Sequence, residues 1–289
     1  MKIVILHHKH TDLEKSPCLL NYCSQNWIQQ GHSVIHVFGI DGSAPVADVL
    51  ILHVNMTVVP QEYVQFTKQY PVVINRDVID ISKSTFSTII ITRNDPYNGP
   101  VIVKTKNNYG GLPERQISKL ERRRGLKDIV QYIRQQYTWI RPWHRTEWLK
   151  NYPVFNTVQK VPQGVWQNEN LVVEKFMPER NKDGHYCVRE WVFLGDREVH
   201  FMNISSEPVI KGTNTDRKEY FSTDEVPAEL RKIRSRLGFD YGKFDYAIHN
   251  GKPVLYDVNK TPGAPYNLLD RPEATENIRQ LSFGLEFYK

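Results

Sequence analysis

The residues with the most informative spacing lie near the C-terminus, on either side of a predicted tight turn. Asn250-Gly251 separates two apolar-rich stretches, a pattern that predicts a two-stranded hairpin. Asp245 lies on the first strand, and Asp257 and Asn259 lie two positions apart on the second, so they share a face. The hairpin can therefore bring two carboxylates and an amide oxygen together. Mg²⁺ prefers such oxygen ligands, so we expect Asp245, Asp257 and Asn259 to bind it.

A second group of residues could bind phosphate. A predicted strand ends at Lys104, and the small-residue loop after it contains Asn107, Gly110 and Gly111. Lysine supplies a point charge for phosphate, and glycines let backbone N–H groups approach its oxygens closely. The alternative is an ordinary hairpin loop beside a surface lysine. The loop is not a P-loop, because the order Gly-x4-Gly-Lys-Ser/Thr is absent.

The elements that position these residues fall into three predicted blocks. Residues 1–78 alternate strands and helices, which predicts a parallel sheet with right-handed crossovers. Residues 79–170 form a central block with an aromatic-rich helical insertion, and residues 171–289 form a C-terminal block that contains the hairpin. The predicted strands are 2–6, 33–38, 48–53, 71–74, 88–92, 101–104, 171–176, 188–194 and 198–203. The predicted helices are 18–30, 60–70, 115–136 and 227–237, and a further helix is predicted at the C-terminus.

Histidines cluster where the predicted parallel sheet should bind a ligand. Open parallel sheets bind ligands beyond the carboxyl ends of their strands. His7, His8 and His10 come at the end of the first predicted strand. Imidazoles offer hydrogen-bond donors for a carboxylate or a phosphate, so we expect these three residues to contact a substrate. The alternatives are a solvated polar loop and adventitious metal binding by the histidine cluster.

Composition and charge exclude several classes of protein. The 289 residues include 38 Lys and Arg against 32 Asp and Glu, and the net charge of +6 weakly favours anionic ligands. The basic runs 119–127 and 231–236 have helical spacing without a nucleic-acid recognition motif, so no nucleic-acid partner is predicted. No apolar run approaches the roughly 20 residues that span a bilayer. Cys18, Cys23 and Cys187 lack metal or redox spacing and no secretory signal is visible, which predicts reduced thiols in a cytoplasmic protein.

The order of these motifs resembles that of the ATP-grasp superfamily over about residues 80–265. The motifs in that order are Lys104, the glycine loop, the strand 171–176, Arg189, and the hairpin followed by Pro262-Gly263. The block 1–78 resembles the domain that precedes the grasp in carboxylate–amine ligases, such as glutamate-adding and D-alanine–D-alanine ligases. The resemblance implies an α/β and α+β architecture, with an ATP-grasp fold after a small parallel-sheet domain.

The resemblance also implies ATP and Mg²⁺ as cofactors and assigns roles around them. The strand 171–176 would lead into a hinge that lies against adenine, and a later carboxylate would bind the ribose. Arg189 would contact the transferred phosphate, and Lys83 would be the first of two phosphate-binding lysines. Lys260, next to the metal ligands, is a further predicted substrate contact. The predicted adenine contacts are Glu174, Lys175, Phe176 and Met177, and the predicted ribose ligands are Glu179 or Asp183.

By this resemblance, the predicted reaction joins a small-molecule carboxylate to an amine through an acylphosphate, in a homodimer like many superfamily ligases. The alternative on the same fold is a kinase that phosphorylates a polyol or sugar-like acceptor. Inositol phosphate kinases of the superfamily also carry Asp at the position of Asp257. A third hypothesis is a nucleotide-binding module without catalysis. The aromatic segment 137–155 is predicted either to pack an inserted helical pair or to form an acceptor-binding lid.

Overall fold

The computed structural model of the chain describes residues 1–15, 17–121 and 143–288. They form two compact units, which we call unit 1 (Met1–Ile81 with Pro178–Lys289) and unit 2 (Ser82–Met177). The chain therefore leaves unit 2 between Met177 and Pro178, inside the segment predicted to be a hinge. The division into three blocks stays a prediction, although the strand that begins at Leu171 lies in unit 2.

The elements follow in chain order. The strands are β1 (Lys2–His7), β2 (Ser33–Phe38), β3 (Val49–Leu52), β4 (Val72–Ile74), β5 (Val101–Thr105), β6 (Val154–Phe155), β7 (Leu171–Lys175), β8 (Glu179–Arg180), β9 (Tyr186–Leu194), β10 (Arg197–Ser205), β11 (Arg217–Phe221), β12 (Tyr241–His249) and β13 (Lys252–Asn259). The helices are α1 (Leu19–Gln29), α2 (Gln61–Thr67), α3 (Lys83–Phe86), α4 (Leu112–Glu121), α5 (Gln163–Trp166), α6 (Ala228–Arg236) and α7 (Pro272–Ser282).

The N-terminal block of unit 1 forms the predicted parallel sheet. Its strand order is β2-β1-β3-β4, and every neighbouring pair is parallel. Ile3 and Ile5 of β1 pack in one core, and Val4 and Leu6 pack in another. A strand that is buried on both faces needs a continuous apolar run rather than alternation, which explains the sequence of β1.

The second sheet of unit 1 is antiparallel. Its order is β11-β10-β9-β12-β13, with β8 paired to β9 at one side. The predicted hairpin is present as β12 and β13. Asn250 and Gly251 between them have φ angles of 51° and 76°, the positive values that a tight two-residue hairpin loop requires.

A shared core joins the two sheets of unit 1. Ile3 of β1, Trp27 of α1, Leu194 of β9 and Tyr241 of β12 belong to one buried cluster. The buried side chain of Asn75, just after β4, accepts hydrogen bonds from the backbone N–H groups of Asp240 and Tyr241 and donates to the Tyr241 carbonyl. These contacts fix the start of β12 against the parallel sheet.

Unit 2 has a smaller sheet of order β6-β5-β7, all antiparallel. The prediction of a strand at 88–92 is wrong. This stretch makes only an isolated bridge, from Ile90 to Glu174, and too few backbone hydrogen bonds to form a strand ladder. The predicted helix 115–136 is described as α4 as far as Glu121, and its remainder lies outside the described residues. Among the described helices, none combines the length and the apolar character needed to cross a membrane.

The described part of the aromatic segment packs inside unit 2. Trp143, Leu149 and Phe155 are partly buried against the core that contains Val101 and Val173. This placement favours packing for these residues. Trp139, in the same predicted segment, lies outside the described residues.

Candidate metal and phosphate sites

A β-bulge decides which face of the hairpin carries Asp257. Next to the two-residue turn, the register pairs Tyr246 with Leu255. Unbroken, this register would set Asp245 opposite Tyr256 and turn Asp257 to the other face. The register instead shifts between Asp245 and Tyr246, so that Asp245 pairs with Asp257. The bulge therefore brings the two predicted metal ligands onto one face.

The same sheet face carries a third carboxylate and a cation. Glu190 of β9 lies opposite Asp245, so Glu190, Asp245 and Asp257 form a row across three adjacent strands, which we call the acidic row. Lys243 of β12 points to the same face, and its Nζ lies 3.0 Å from both Oε2 of Glu190 and Oδ1 of Asp245. Sequence analysis identified neither Glu190 nor Lys243.

The charge of the acidic row fits a divalent cation. Three carboxylates and the ammonium of Lys243 leave two negative charges when all are ionised. Lys218, on the same face, interacts electrostatically with Glu190 and Asp245 as well. Burial raises the pKa of Asp245, the Glu190 and Asp257 carboxylates raise it further, and Lys243 opposes them. No three His, Cys, Asp or Glu side chains converge as metal ligands among the residues that the structure describes. A metal at the row would therefore need the amide oxygen of Asn259 beside Asp245 and Asp257, a set that suits Mg²⁺.

Asn259 is held in place by the loop that follows it. Its Oδ1 accepts a hydrogen bond of 2.8 Å from the backbone N–H of Thr261. The hydroxyl of Thr261 lies 3.0 Å from Oδ1 of Asn55, which joins this loop to the segment after β3. The same hydroxyl lies 3.4 Å from Oδ1 of Asn259, so its single proton goes either there or to Asn55. When the proton goes to Asn55, Oδ1 of Asn259 keeps a lone pair that can serve a metal.

The predicted phosphate contact Arg189 lies on the opposite face of the sheet. Arg189 pairs with Tyr246 across β9 and β12, one position away from Glu190 and Asp245. Its guanidinium forms a fork with Glu179, with contacts of 2.7 to 3.1 Å. The structure thus brings together the residue predicted for phosphate and a residue predicted for ribose. It does not bring Arg189 to the acidic row.

In unit 2, Lys104 is paired with a predicted adenine contact. Its Nζ lies 2.8 Å from Oε2 of Glu174, a side chain with no solvent exposure. The hydroxyl of Ser87 donates a hydrogen bond of 2.7 Å to the other carboxylate oxygen of Glu174. Lys104 keeps about an eighth of its side chain exposed (12%), so it can reach a ligand while it neutralises the buried carboxylate.

The backbone of the glycine loop after β5 passes through the left-handed region. Tyr109, Gly110 and Gly111 have positive φ angles of 48°, 68° and 75°. A Cβ atom on Gly110 would lie 2.4 Å from the Leu149 carbonyl oxygen, so this glycine is also required by packing inside unit 2. Asn107 directly precedes this turn. The loop offers backbone groups to phosphate, but local packing alone is enough to require Gly110.

The remaining predicted adenine contacts lie at the end of β7. The backbone N–H groups of Lys175 and Phe176 donate to the carbonyls of Ile89 and Pro100. Adenine would therefore have to use other backbone groups of the segment that ends at Met177. Lys83 is buried at the start of α3, and its Nζ lies 5.4 Å from the centroid of the Phe86 ring.

Two further predicted contacts lie in the C-terminal part of unit 1. Asp183 is exposed in the turn between β8 and β9 and forms an ion pair of 3.1 Å with Arg217. Lys260 is 1% exposed, and its ammonium lies 3.3 to 3.4 Å from the carbonyls of Thr57, Val78 and Ile79. In this structure Lys260 links the hairpin to the parallel sheet, an arrangement that does not favour substrate contact.

The N-terminal histidines are largely buried. The ring of His7 packs against His36 and Phe38, with centroids 5.2 and 5.0 Å away, and lies edge-on to His53. Its Nε2 lies 2.9 Å from Nδ1 of His36, within hydrogen-bond distance. Burial lowers the pKa of His7 to about 2 and that of His53 to about 3, so both are neutral. Neutral buried imidazoles are poor partners for an anionic substrate. His8 packs on Tyr63 with its ring 5.4 Å from that of His10.

Comparison with known proteins identifies the fold. No protein-family model matches the sequence, and no curated protein is significantly similar to it. A RiPP-associated ATP-grasp ligase of Chryseobacterium gregarium, solved with ADP and a leader and core peptide, is 11% identical over 98% of this chain and 96% of that one, with a TM-score of 0.54. The D-cycloserine synthetase DcsG is 12% identical over 99% and 100% of the two chains, with a TM-score of 0.52. This chain has an ATP-grasp fold. The predicted resemblance and fold class are thereby confirmed.

A third structure agrees with the ATP-grasp assignment. A RimK domain ATP-grasp protein from Sphaerobacter thermophilus is 10% identical over 98% of this chain and 99% of that one, with a TM-score of 0.50. The likeness therefore extends over both units and includes the parallel sheet before the ATP-grasp part. At these identities it concerns the fold, so the roles of Lys104, Arg189 and the acidic row within it stay predictions.

Proposed function

We propose that this ATP-grasp protein is an ATP-dependent ligase that joins a small-molecule carboxylate to an amine. The observation that carries the proposal is the placement of Asp245, Asp257 and Asn259 on one sheet face of this fold. Two of the similar structures are a ligase and a synthetase, which supports a ligase over a kinase. The proposal includes ATP and Mg²⁺ as cofactors and a homodimer as the assembly.

The proposed roles follow from the position of each residue. Asp245, Asp257 and Asn259 would hold Mg²⁺, which when bound would neutralise charge on the phosphates of ATP. Lys104 would offer its ammonium to a phosphate, in addition to its contact with Glu174. Lys243 shares the face of the acidic row, so it is better placed than Arg189 to stabilise negative charge there.

The proposed reaction has two steps. A carboxylate oxygen of the substrate attacks the γ-phosphorus of ATP, the bond to ADP breaks, and an acylphosphate forms. The amine nitrogen then attacks the acyl carbon, phosphate leaves, and the nitrogen loses a proton. The protein supplies positioning and charge neutralisation, so no side-chain nucleophile is required.

Hydroxylamine trapping tests the proposal even while the natural amine is unidentified, because hydroxylamine takes the place of that amine. The purified protein is incubated with ATP, Mg²⁺, hydroxylamine and a panel of carboxylic acids, and in parallel with ATP, Mg²⁺ and a panel of polyols and sugars. ADP, phosphate, hydroxamate and phosphate esters are measured. A ligase gives a hydroxamate that depends on ATP and on one of the acids. A kinase instead gives a stable phosphate ester of a polyol or sugar without phosphate release. If the wild type forms such a phosphate ester and Asp257→Asn does not, the protein is a kinase and the ligase proposal is wrong.

A further inference from the structure

The amide oxygen of Asn259 has one lone pair left after its contact with the backbone. Oδ1 accepts a hydrogen bond of 2.8 Å from the N–H of Thr261, and a carbonyl oxygen has two lone pairs. The hydroxyl of Thr261 lies 3.4 Å from the same oxygen and is placed to donate to it. A divalent cation at Asn259 and the hydroxyl proton of Thr261 therefore compete for a single lone pair.

Asn55 offers that proton another acceptor. Its Oδ1 lies 3.0 Å from the Thr261 hydroxyl, closer than Oδ1 of Asn259, and the shorter contact is the better hydrogen bond. A hydroxyl carries one proton, so a hydrogen bond to Asn55 leaves none for Asn259. Thr261 is 7% exposed, which limits the access of water as a substitute acceptor. The amide of Asn55 thus decides where the proton goes.

The contact between Asn55 and Thr261 is fixed by the residues beside it. Asn55 and Thr57 lie in the segment that follows β3, and Thr261 follows Lys260 in the loop after β13. The buried ammonium of Lys260 lies 3.3 Å from the carbonyls of Thr57 and Ile79. Successive residues of the loop therefore bind the same segment, one through a buried cation and the other through a hydroxyl.

We propose that Asn55 is a positioning residue for the candidate metal site. By accepting the Thr261 proton, its amide oxygen keeps a lone pair of Asn259 available to a divalent cation. The inference rests on the proposed function in expecting a divalent cation at Asn259, and it applies equally to a ligase and to a kinase. Partners of this kind change the affinity for a metal without touching it, because they orient its ligands.

The competition for the lone pair fixes the sign of each substitution. Without the amide of Asn55, the Thr261 proton turns to Asn259, and a cation has to displace it at the cost of one hydrogen bond. That cost corresponds to about a fivefold loss of affinity. Without the hydroxyl of Thr261, no proton competes, so the identity of residue 55 ceases to matter. A merely structural contact would instead lower the unfolding free energy and leave the affinity of the folded protein for the cation unchanged.

Mn²⁺ is a suitable probe, because paramagnetic resonance reports its unbound fraction directly and needs no turnover. The full chain is titrated with Mn²⁺ in the presence of ADP, and Asp257→Asn identifies the binding that depends on the candidate metal site. We expect Asn55→Leu to bind this Mn²⁺ about fivefold more weakly than the wild type. Thr261→Val and Asn55→Leu/Thr261→Val should both bind it within about twofold of the wild type.

Further variants separate the lost acceptor from a damaged loop. Asn55 is exposed, so we expect its variants to fold, and urea unfolding checks this. Asn55→Asp keeps an acceptor and should bind Mn²⁺ no more weakly than the wild type. Asn55→Leu/Thr261→Ser keeps the hydroxyl and should stay about fivefold weaker. Asn94→Leu, the same substitution at an exposed position of unit 2, is the matched control and should leave Mn²⁺ binding unchanged.

Two results would overturn the proposal. One is unchanged affinity for Mn²⁺ in a folded Asn55→Leu variant, and the other is an Asn55→Leu/Thr261→Val variant that binds as weakly as Asn55→Leu. These outcomes are separate from the fate of the proposed function. Hydroxamate formation with equal Mn²⁺ affinity in the wild type and Asn55→Leu would reject this inference alone. The expected order of Mn²⁺ affinities without any ligation would reject the ligase alone.

Discussion

Asp245 and Asp257 lie directly opposite each other on β12 and β13 although the turn between these strands does not by itself put them there. The hairpin register next to Asn250-Gly251 would pair Asp245 with Tyr256. The bulge at Tyr256 adds one residue to β13 and thereby returns Asp257 to the face of Asp245. The candidate metal site therefore depends on a backbone irregularity as much as on its carboxylates.

Asp257→Asn should nearly abolish ATP turnover and leave the fold intact. The substitution removes the charge of a proposed metal ligand, and we expect a loss of about 3 kcal/mol or more in transition-state stabilisation. Steady-state ADP formation over a range of Mg²⁺ concentrations measures it. Asp196→Asn, in the exposed turn between β9 and β10, is the matched control and should turn over normally. Wild-type turnover of Asp257→Asn at limiting Mg²⁺ would remove the metal assignment.

Lys104→Met should lower both stability and ATP affinity. It leaves the fully buried carboxylate of Glu174 without its cation, which typically costs about 3 kcal/mol of unfolding free energy. Lys104→Met/Glu174→Gln should recover most of that stability but not the binding of a non-hydrolysable ATP analogue. Urea unfolding and calorimetric titration separate the two effects.

Lys119→Ala is the control for this pair, because Lys119 is exposed on α4. The substitution should change neither the unfolding free energy nor the affinity for the non-hydrolysable ATP analogue. Equal loss of nucleotide affinity in Lys119→Ala and Lys104→Met would contradict a special role for Lys104.

Arg189→Met should destabilise unit 1 through its partner. Glu179, 10% exposed, would lose the fork from Arg189 and keep the backbone N–H of Ile248 and the thiol of Cys187 as donors. We expect a loss of about 2 kcal/mol in unfolding free energy, and a double-mutant cycle with Glu179→Gln should give a coupling above about 1 kcal/mol. If Arg189→Lys keeps most of the stability but loses turnover about a hundredfold, Arg189 contacts the phosphate as the family resemblance implies.

Acid should destabilise the protein through His7 and His53. Their folded-state pKa values are about 2 and about 3, against 6.5 for an unperturbed histidine, so below about pH 6.5 the unfolded chain binds more protons. Their contribution to stability is complete above about pH 6.5 and falls by about 1.4 kcal/mol per histidine for each pH unit below it. Urea unfolding at several pH values measures this slope. His53→Leu should lower the dependence of the unfolding free energy on pH by about 1.4 kcal/mol for each pH unit, the contribution of one histidine. An unchanged slope would contradict the prediction.

The sequence by itself determined most of the architecture. The apolar run of β1, the strand and helix alternation up to residue 78 and the Asn250-Gly251 turn each carry a local signal, and the structure confirms all three. The stretch 88–92 shows the limit of such signals. Its apolar residues suit a strand, but a strand needs a partner, and β7 gives these residues only an isolated bridge.

Tertiary structure decided which polar residues meet. Arg189 and Glu190 are neighbours in sequence and were equally able to face the metal ligands, but the register between β9 and β12 turns Glu190 towards Asp245 and Arg189 towards Glu179. The ammonium groups of Lys243 and Lys260 likewise found partners on other elements, carboxylates for one and backbone carbonyls for the other. Strand register and bulges are set by contacts between distant segments, and a shift of one residue reverses the face of every side chain, so spacing along the sequence cannot fix them.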